Sequence, residues 1–151
     1  MISFRQLLSE SSAAVDVPAK DKTSALALAM EALTRNGKVP DPQRLLKEIM
    51  GREGQSPTGL GAGVGAPHVL CDAVGELMFA VLRLKEGIDF GAIDGKPVDI
   101  IFLIAGPRGE SGPHLQLLSK IARLCHDAGF RQAIRLAPDD KALAELIYSK
   151  D

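Results

Sequence analysis

Three histidines, His68, His114 and His126, are the side chains best suited to chemistry near neutral pH. An imidazole with a pKa of about 6.5 is a competent nucleophile and proton carrier there. Their settings differ. His68 closes the stretch "TGLGAGVGAPH" (58–68), in which glycines alternate at 59, 61, 63 and 65 and Pro67 stands directly before the histidine. Glycines pack poorly and lose the most entropy on folding, so a core strand gains nothing from them. The expectation is that they clear room for a bulky group approaching the backbone at His68. His114 follows Gly112-Pro113 at or near the first turn of an expected helix. Free backbone N–H groups gather there, and they favour an anion over a protonated imidazole. His126 falls near the end of that helix, a position that suits a cation, and reads as an ordinary surface residue.

Other chemistries fit less well. "GAGVGA" (61–66) matches the loose G-x-G-x-x-A pattern. A dinucleotide loop needs a strand before it and a helix after it, whereas here a helix precedes it and Pro67 blocks one from following. The chain has no G-x-x-x-x-G-K-[ST] and no G-x-S-x-G nucleophile elbow. A zinc site from His68, Cys71, Cys125 and His126 has neither C-x-x-C nor H-x-x-x-H spacing behind it. No cofactor is expected.

The elements that must position the histidines alternate between helical and strand patterns. Asp21 is placed to cap a helix through Arg35, with Ala25, Leu26, Ala29, Met30 and Leu33 on one face and Gly37 beyond its end. Asp41-Pro42 opens a second helix carrying Leu45, Leu46, Ile49 and Met50 and ending near Arg52-Glu53-Gly54. The glycine stretch is expected as loop and short strand. "ELMFAVLRL" (76–84) reads as a strand, "GIDFGAIDGKP" (87–97) as turns, and "VDIIFLIA" (98–105) as a central strand covered on both faces. A helix is expected from Pro113 to about Ala128, with Leu115, Leu118, Ile121, Ala122 and Cys125 inward and Gly129 as its stop. Two short helices follow, over 130–136 and 140–148, and "AAVDV" (13–17) could add an edge strand. This order predicts a three-layer α-β-α domain, a central mixed sheet flanked by helices, formed by residues 1–151 as one unit.

Composition narrows the function classes. The formal net charge is −1, with no basic stripe, so no nucleic-acid partner is expected. The longest apolar run, Ile100 to Ala105, is far too short for membrane insertion, and "MISFRQLLSE" has no apolar signal core, so the expected location is cytoplasmic. Two cysteines are too few for a disulfide framework and read as reduced thiols.

Taken together, the motifs resemble a known family. "REGQSPTGLGAGVGAPH" (52–68) is similar to the active-site segment of the fructose/mannitol type of phosphotransferase-system enzyme IIA, which reads R-E, a few residues, S-T-G-I-G, small residues, then P-H. "GIDFGAIDGKPVDIIFLIAGP" resembles that family's strand-turn-strand block and "HLQLLSKIARL" (114–124) its second-histidine helix. The likeness is colinear over nearly the whole chain. It implies that His68 accepts a phosphoryl group from the histidine phosphocarrier protein. His114 would then hydrogen-bond the phosphoryl group or the active imidazole, and Arg52 would stand beside the site. Arg52 and the helix-start amides near His114 would favour a dianionic phosphate.

The phosphate would pass to an enzyme IIB, or the phosphorylation state would govern the binding of regulated target proteins, as in the nitrogen-regulatory type, to which the lone domain leans. The alternative is a binding module of the same fold that does not transfer. Three positions depart from the family's habit: Ala66 before the P-H step, Val69 after it, and Pro57 within "SPTG". These changes are expected to bear on partner fit and transfer rate more than on the fold. One of Val69 and Leu70 is expected to face outward beside His68, since neighbours on an extended chain point opposite ways.

Overall fold

A computed structural model describes residues 2–55 and 58–151 of the chain. A mixed sheet of six strands is its central layer. β1 is Ala13–Val17, β2 Gly59–Gly61, β3 Val64–Gly65, β4 His68–Leu70, β5 Met78–Ile88 and β6 Val98–Gly106. The strand order is β1-β5-β6-β3-β2, and β4 also pairs with β6. β5 and β6 are antiparallel, β1 runs parallel to β5, and β3 and β4 run parallel to β6. The helices are α1 Phe4–Leu7, α2 Lys22–Thr34, α3 Pro42–Gln55, α4 Ser111–Cys125, α5 Ala128–Leu136 and α6 Asp140–Tyr148.

The sheet separates two apolar cores. On one face Met78, Ala80 and Leu82 of β5 and Leu103 and Ala105 of β6 pack with α2 and α3. On the other, Phe79 and Val81 of β5 and Ile100, Phe102 and Ile104 of β6 pack with α4, α5 and α6. That is why β6 reads as an unbroken apolar run: consecutive side chains enter different cores, and both are buried. The three-layer expectation holds.

Local chemistry sets the helix starts. The Asp21 side chain accepts from Ser24 N at 2.8 Å, and Ser24 Oγ accepts from Asp21 N at 3.1 Å, a reciprocal cap on α2. Asp41 accepts from Arg44 N at 3.1 Å ahead of α3, with Pro42 in the first turn where its missing N–H costs nothing.

The structure corrects four details. α4 begins at Ser111 and ends at Cys125 rather than running from Pro113 to Ala128. Asp127 breaks it, because its side chain accepts from Gly129 N at 3.2 Å and caps α5; Gly129 therefore lies inside a helix instead of stopping one. The buried stripe of α4 is His114, Leu117, Ile121 and Cys125, while Leu115 is 62% exposed. A histidine at the head of the stripe hid its phase. β5 continues four residues past Leu84 to Ile88 through a register shift after Arg83.

The fourth correction concerns the glycines, which make room for the chain itself and not for an incoming group. A Cβ on Gly59 would stand 2.5 Å from Ala92 Cα. One on Gly63 would stand 2.9 Å from Asp99 Oδ1 and would also strike Arg135, and one on Gly65 would stand 2.9 Å from the Phe90 ring. The glycine stretch forms three short strands, and β2 and β3 make a hairpin packed under residues 90–99.

The hairpin tip carries Ala62 at φ +56°, between Gly61 and Gly63, which also have positive φ. Asp94 Oδ2 accepts from Ala62 N at 2.9 Å and Arg135 Nη2 donates to Ala62 O at 3.1 Å, so the turn is clamped from both sides. A left-handed conformation costs an L-residue about 1–2 kcal/mol, partly offset by the chain entropy a glycine would add to the unfolded state. Ala62→Gly is therefore expected to stabilise the protein by about 0.5 kcal/mol, and Ala62→Val to destabilise it by about 1–2 kcal/mol. Urea midpoints at unchanged m-value check both.

Candidate functional site

β3 and β4 are two pieces of one strand line along β6, interrupted at Ala66-Pro67. Pro67 has no N–H to give the ladder, yet its carbonyl still accepts from Ile104 N at 3.0 Å. Ala66 is fully buried, and its N–H donates to Thr58 O at 3.0 Å. The interruption delivers His68 to the first position of β4, opposite Ile104, with its ring partly exposed.

The His68 ring is held at both nitrogens. Nδ1 lies 2.8 Å from Ala66 O, and Nε2 lies 3.5 Å from Arg52 Nη2. A carbonyl oxygen can only accept, so Nδ1 carries the proton. Nε2 is left with a free lone pair facing the guanidinium. Arg52 comes from the last turn of α3.

His114 sits in the first turn of α4, with its ring centroid 5.6 Å from that of His68 and the planes tilted by 56°. The structure thus brings all three predicted site residues together. Burial, then the charges of His68 and Arg52, push the His114 pKa down to about 4, so its imidazole is neutral at physiological pH. Among the described residues its buried Nδ1 has no hydrogen-bond partner.

That depressed pKa has a consequence for stability. Unfolding restores a site with a pKa of 6.5, so below that value the unfolded chain binds a proton the folded one refuses until about 4. Stability contributed by neutral His114 is full above pH 6.5 and lost as the pH falls, by about 2 kcal/mol at pH 5 and about 3 kcal/mol in total. Urea unfolding at pH 7 and pH 5 is expected to show this extra loss in the unsubstituted protein and not in His114→Leu.

These residues line a cleft of about 630 Å³ between α3, β4 and α4. Lys47, Glu48, Gly51 and Arg52 come from α3, His68, Val69 and Leu70 from β4, and Ser111, His114, Leu115 and Leu118 from α4. Among the described residues the Glu110 side chain makes no capping bond to α4, and Ser111, the first residue of that helix, lines the cleft. Two of the three family departures are buried. Ala66 is buried, and Val69, 6% exposed, packs into the core under α2 and α3. Leu70 is the outward one of the Val69–Leu70 pair, partly exposed beside His68. Pro57 lies outside the described residues.

Sequence reasoning passed over Glu53 and Thr58, a buried pair next to Arg52 in the chain and hydrogen-bonded through Thr58 O to Ala66. The Glu53 carboxylate is 1% exposed and accepts from Lys22 Nζ at 2.9 Å, Thr58 N at 2.9 Å and Thr58 Oγ1 at 2.8 and 3.0 Å. The available signal was an acid beside Arg52 with a hydroxyl residue five positions on, but nothing in composition says that this acid is buried. Among the described residues no cluster of three or more His, Cys, Asp or Glu side chains is placed to hold a metal. No helix among them is long and apolar enough to cross a membrane.

The mixed α/β sandwich presents two histidines and an arginine in one cleft at a strand start. The chain matches the family model "Phosphoenolpyruvate-dependent sugar phosphotransferase system, EIIA 2" over residues 6–150, and it belongs to that family. It is 32% identical over 147 residues to the nitrogen regulatory protein of Pseudomonas aeruginosa, covering 97% of this chain and 96% of that one. It is 30% identical over 150 residues to the fructose-specific EIIABC component of Bacillus subtilis, covering 99% of this chain but only 24% of that one. Among solved structures it resembles the nitrogen regulatory protein IIA-Ntr of Neisseria meningitidis, with a TM-score of 0.87 at 26% identity over 94% of this chain and 97% of the other. The family thus has nitrogen-regulatory and sugar-specific members, and this chain is similar to both.

Proposed function

We propose that this chain is a phosphocarrier unit that accepts a phosphoryl group on His68 Nε2 from the histidine phosphocarrier protein. The observation that carries the reading is the Nδ1–H···O=C bond to Ala66 at 2.8 Å, which leaves Nε2 unprotonated in an open cleft beside Arg52. In the reaction, the Nε2 lone pair forms a bond to phosphorus as the donor's P–N bond breaks, and its electron pair returns to the donor imidazole. Positive charge developing on the His68 ring is shared with Nδ1–H, so the Ala66 bond strengthens at the moment of transfer.

Arg52 and the open end of α4 offset the charge of the phosphoryl oxygens. His114, neutral at working pH, serves as a hydrogen-bond donor. An unpartnered buried nitrogen is better left a lone pair than an N–H, so the His114 proton belongs on Nε2, the atom free to reach the phosphoryl group.

The cleft also fits a macromolecular partner. Leu70, Leu118 and the exposed Leu115 give it an apolar wall around His68. Phosphorylation places about two negative charges against that wall, enough to weaken the docking of an apolar or acidic surface and strengthen that of a basic one. The recipient is an enzyme IIB or a regulated target protein; the two relatives above, one named for nitrogen regulation and one for an A component joined to B and C components, support either outlet. The test is incubation with phosphoenolpyruvate, enzyme I and the phosphocarrier protein, followed by intact mass. Gain of one phosphoryl group is expected, and its absence leaves only a binding role.

A further inference from the structure

We infer that Glu53, paired with Lys22, is a positioning residue for His68: the buried carboxylate holds, through Thr58 and Ala66, the carbonyl that keeps the His68 proton on Nδ1. The inference rests on the reading of His68 Nε2 as the phosphoryl acceptor. The linkage is continuous. Lys22 Nζ donates to Glu53 at 2.9 Å and to Phe90 O at 3.2 Å. Thr58 N and Oγ1 donate to Glu53 at 2.8–3.0 Å. Thr58 O accepts from Ala66 N at 3.0 Å, and Ala66 O accepts from His68 Nδ1 at 2.8 Å.

Each link has a physical reason to matter. Ala66 precedes a proline, so its backbone is confined to extended conformations. Its carbonyl direction is then set by two pins. One is the neighbouring Pro67 carbonyl, bonded to Ile104 N of β6. The other is the Ala66 N–H, bonded to Thr58, which is anchored in turn by Glu53. The sheet supplies the first pin whatever happens at Glu53, whereas the second depends on a carboxylate that water barely reaches. Glu53 also directly follows Arg52 in the last turn of α3, so its anchoring fixes the point from which the guanidinium reaches Nε2. Phe90, held by Lys22 through its carbonyl and under its ring at 4.6 Å, fills the space left open by Gly65, one residue before Ala66. The pair therefore braces the segment from both sides.

A neutral imidazole free in water favours the other tautomer modestly, so loss of the Ala66 acceptor would let the proton move to Nε2 and silence the nucleophile. The experiment is imidazole 15N NMR of the unphosphorylated protein at pH 8, with transfer kinetics from the phosphocarrier protein. The unsubstituted protein is expected to show His68 with an N–H-type Nδ1 and a lone-pair-type Nε2. In Glu53→Met, which replaces the carboxylate by a weakly accepting thioether, both His68 nitrogens are expected to move toward averaged values. Its transfer rate at saturating donor should fall about ten-fold, with donor affinity unchanged. Glu53→Gln, whose amide oxygen can still accept from Thr58 N, is expected to restore the tautomer and most of the rate.

A folded Glu53→Met protein with an unaltered Nδ1–H tautomer and an unaltered rate would overturn the inference. Should Glu53→Met fail to fold, Thr58→Val, which removes only the hydroxyl link, decides by the same two readouts, with a smaller shift expected and no shift counting against the idea. If the unsubstituted protein accepts no phosphate, the functional reading falls, while the tautomer comparison still decides whether Glu53 positions His68.

Discussion

Replacing His68 by alanine is expected to abolish phosphoryl incorporation while leaving the fold in place. The ring's two bonds go to the Ala66 carbonyl and, at 3.5 Å, to Arg52, and the side chain is only partly buried. Losing contacts of that kind costs on the order of 1 kcal/mol, which a domain of this size tolerates. Neither of the other two histidines is poised to substitute. His114 is buried with a strongly depressed pKa, and His126 is the C-cap of α4, at the opposite end of the helix from the cleft. Label on the unsubstituted protein should behave as a P–N bond, lost in acid and kept in alkali, unlike a serine ester. Intact mass after incubation with the donor system is the measurement, with a thermal melt as the check on folding. A His68→Ala protein that takes up phosphate at the normal stoichiometry would place the acceptor elsewhere.

Arg52→Ala and His114→Ala are each expected to slow transfer about ten- to a hundred-fold without preventing it. A charge-assisted hydrogen bond to a phosphoryl oxygen contributes roughly 1.5–3 kcal/mol, and each 1.4 kcal/mol is a factor of ten in rate. The two contributions arise differently. Arg52 carries a full charge on an exposed side chain at the end of α3, so its effect should weaken with rising salt. His114 is buried and neutral, so its effect should not. Arg52→Lys should recover part of the rate, since a lysine offers the charge without the planar fork. Because both side chains serve one phosphoryl group, the double variant should lose less than the product of the single losses. Single-turnover transfer from the labelled phosphocarrier protein measures all four. Rates equal to the unsubstituted protein in both single variants would remove both residues from the site.

Much of this architecture is legible in the sequence. Helix starts at Asp21 and Asp41-Pro42, the apolar run of β6 and the P-H step at His68 carry their signals within a few neighbouring residues. Capping, proline geometry and apolar runs are local physics, and each element's type follows from residues close to it. The pairing of His68 with His114 and Arg52 is legible only through likeness to a family, because residues 46 positions apart along the chain meet nowhere in a local pattern.

Tertiary structure decided the rest. The alternating glycines look the same in sequence whether they clear space for a visitor or for the chain's own Phe90, Ala92 and Arg135; only packing shows the second. The stripe of α4 lies about one residue from its expected phase, with His114 at its buried head, and burial of a polar ring depends on what closes over it. Glu53 reads as one more surface charge on a hydrophilic helix until Lys22 and Thr58 converge on it. Local sequence sets which conformations are cheap, whereas which polar groups lose water is set by the approach of distant segments; that loss of water sets His114 and Glu53 apart, while the Ala66 carbonyl sets the His68 tautomer.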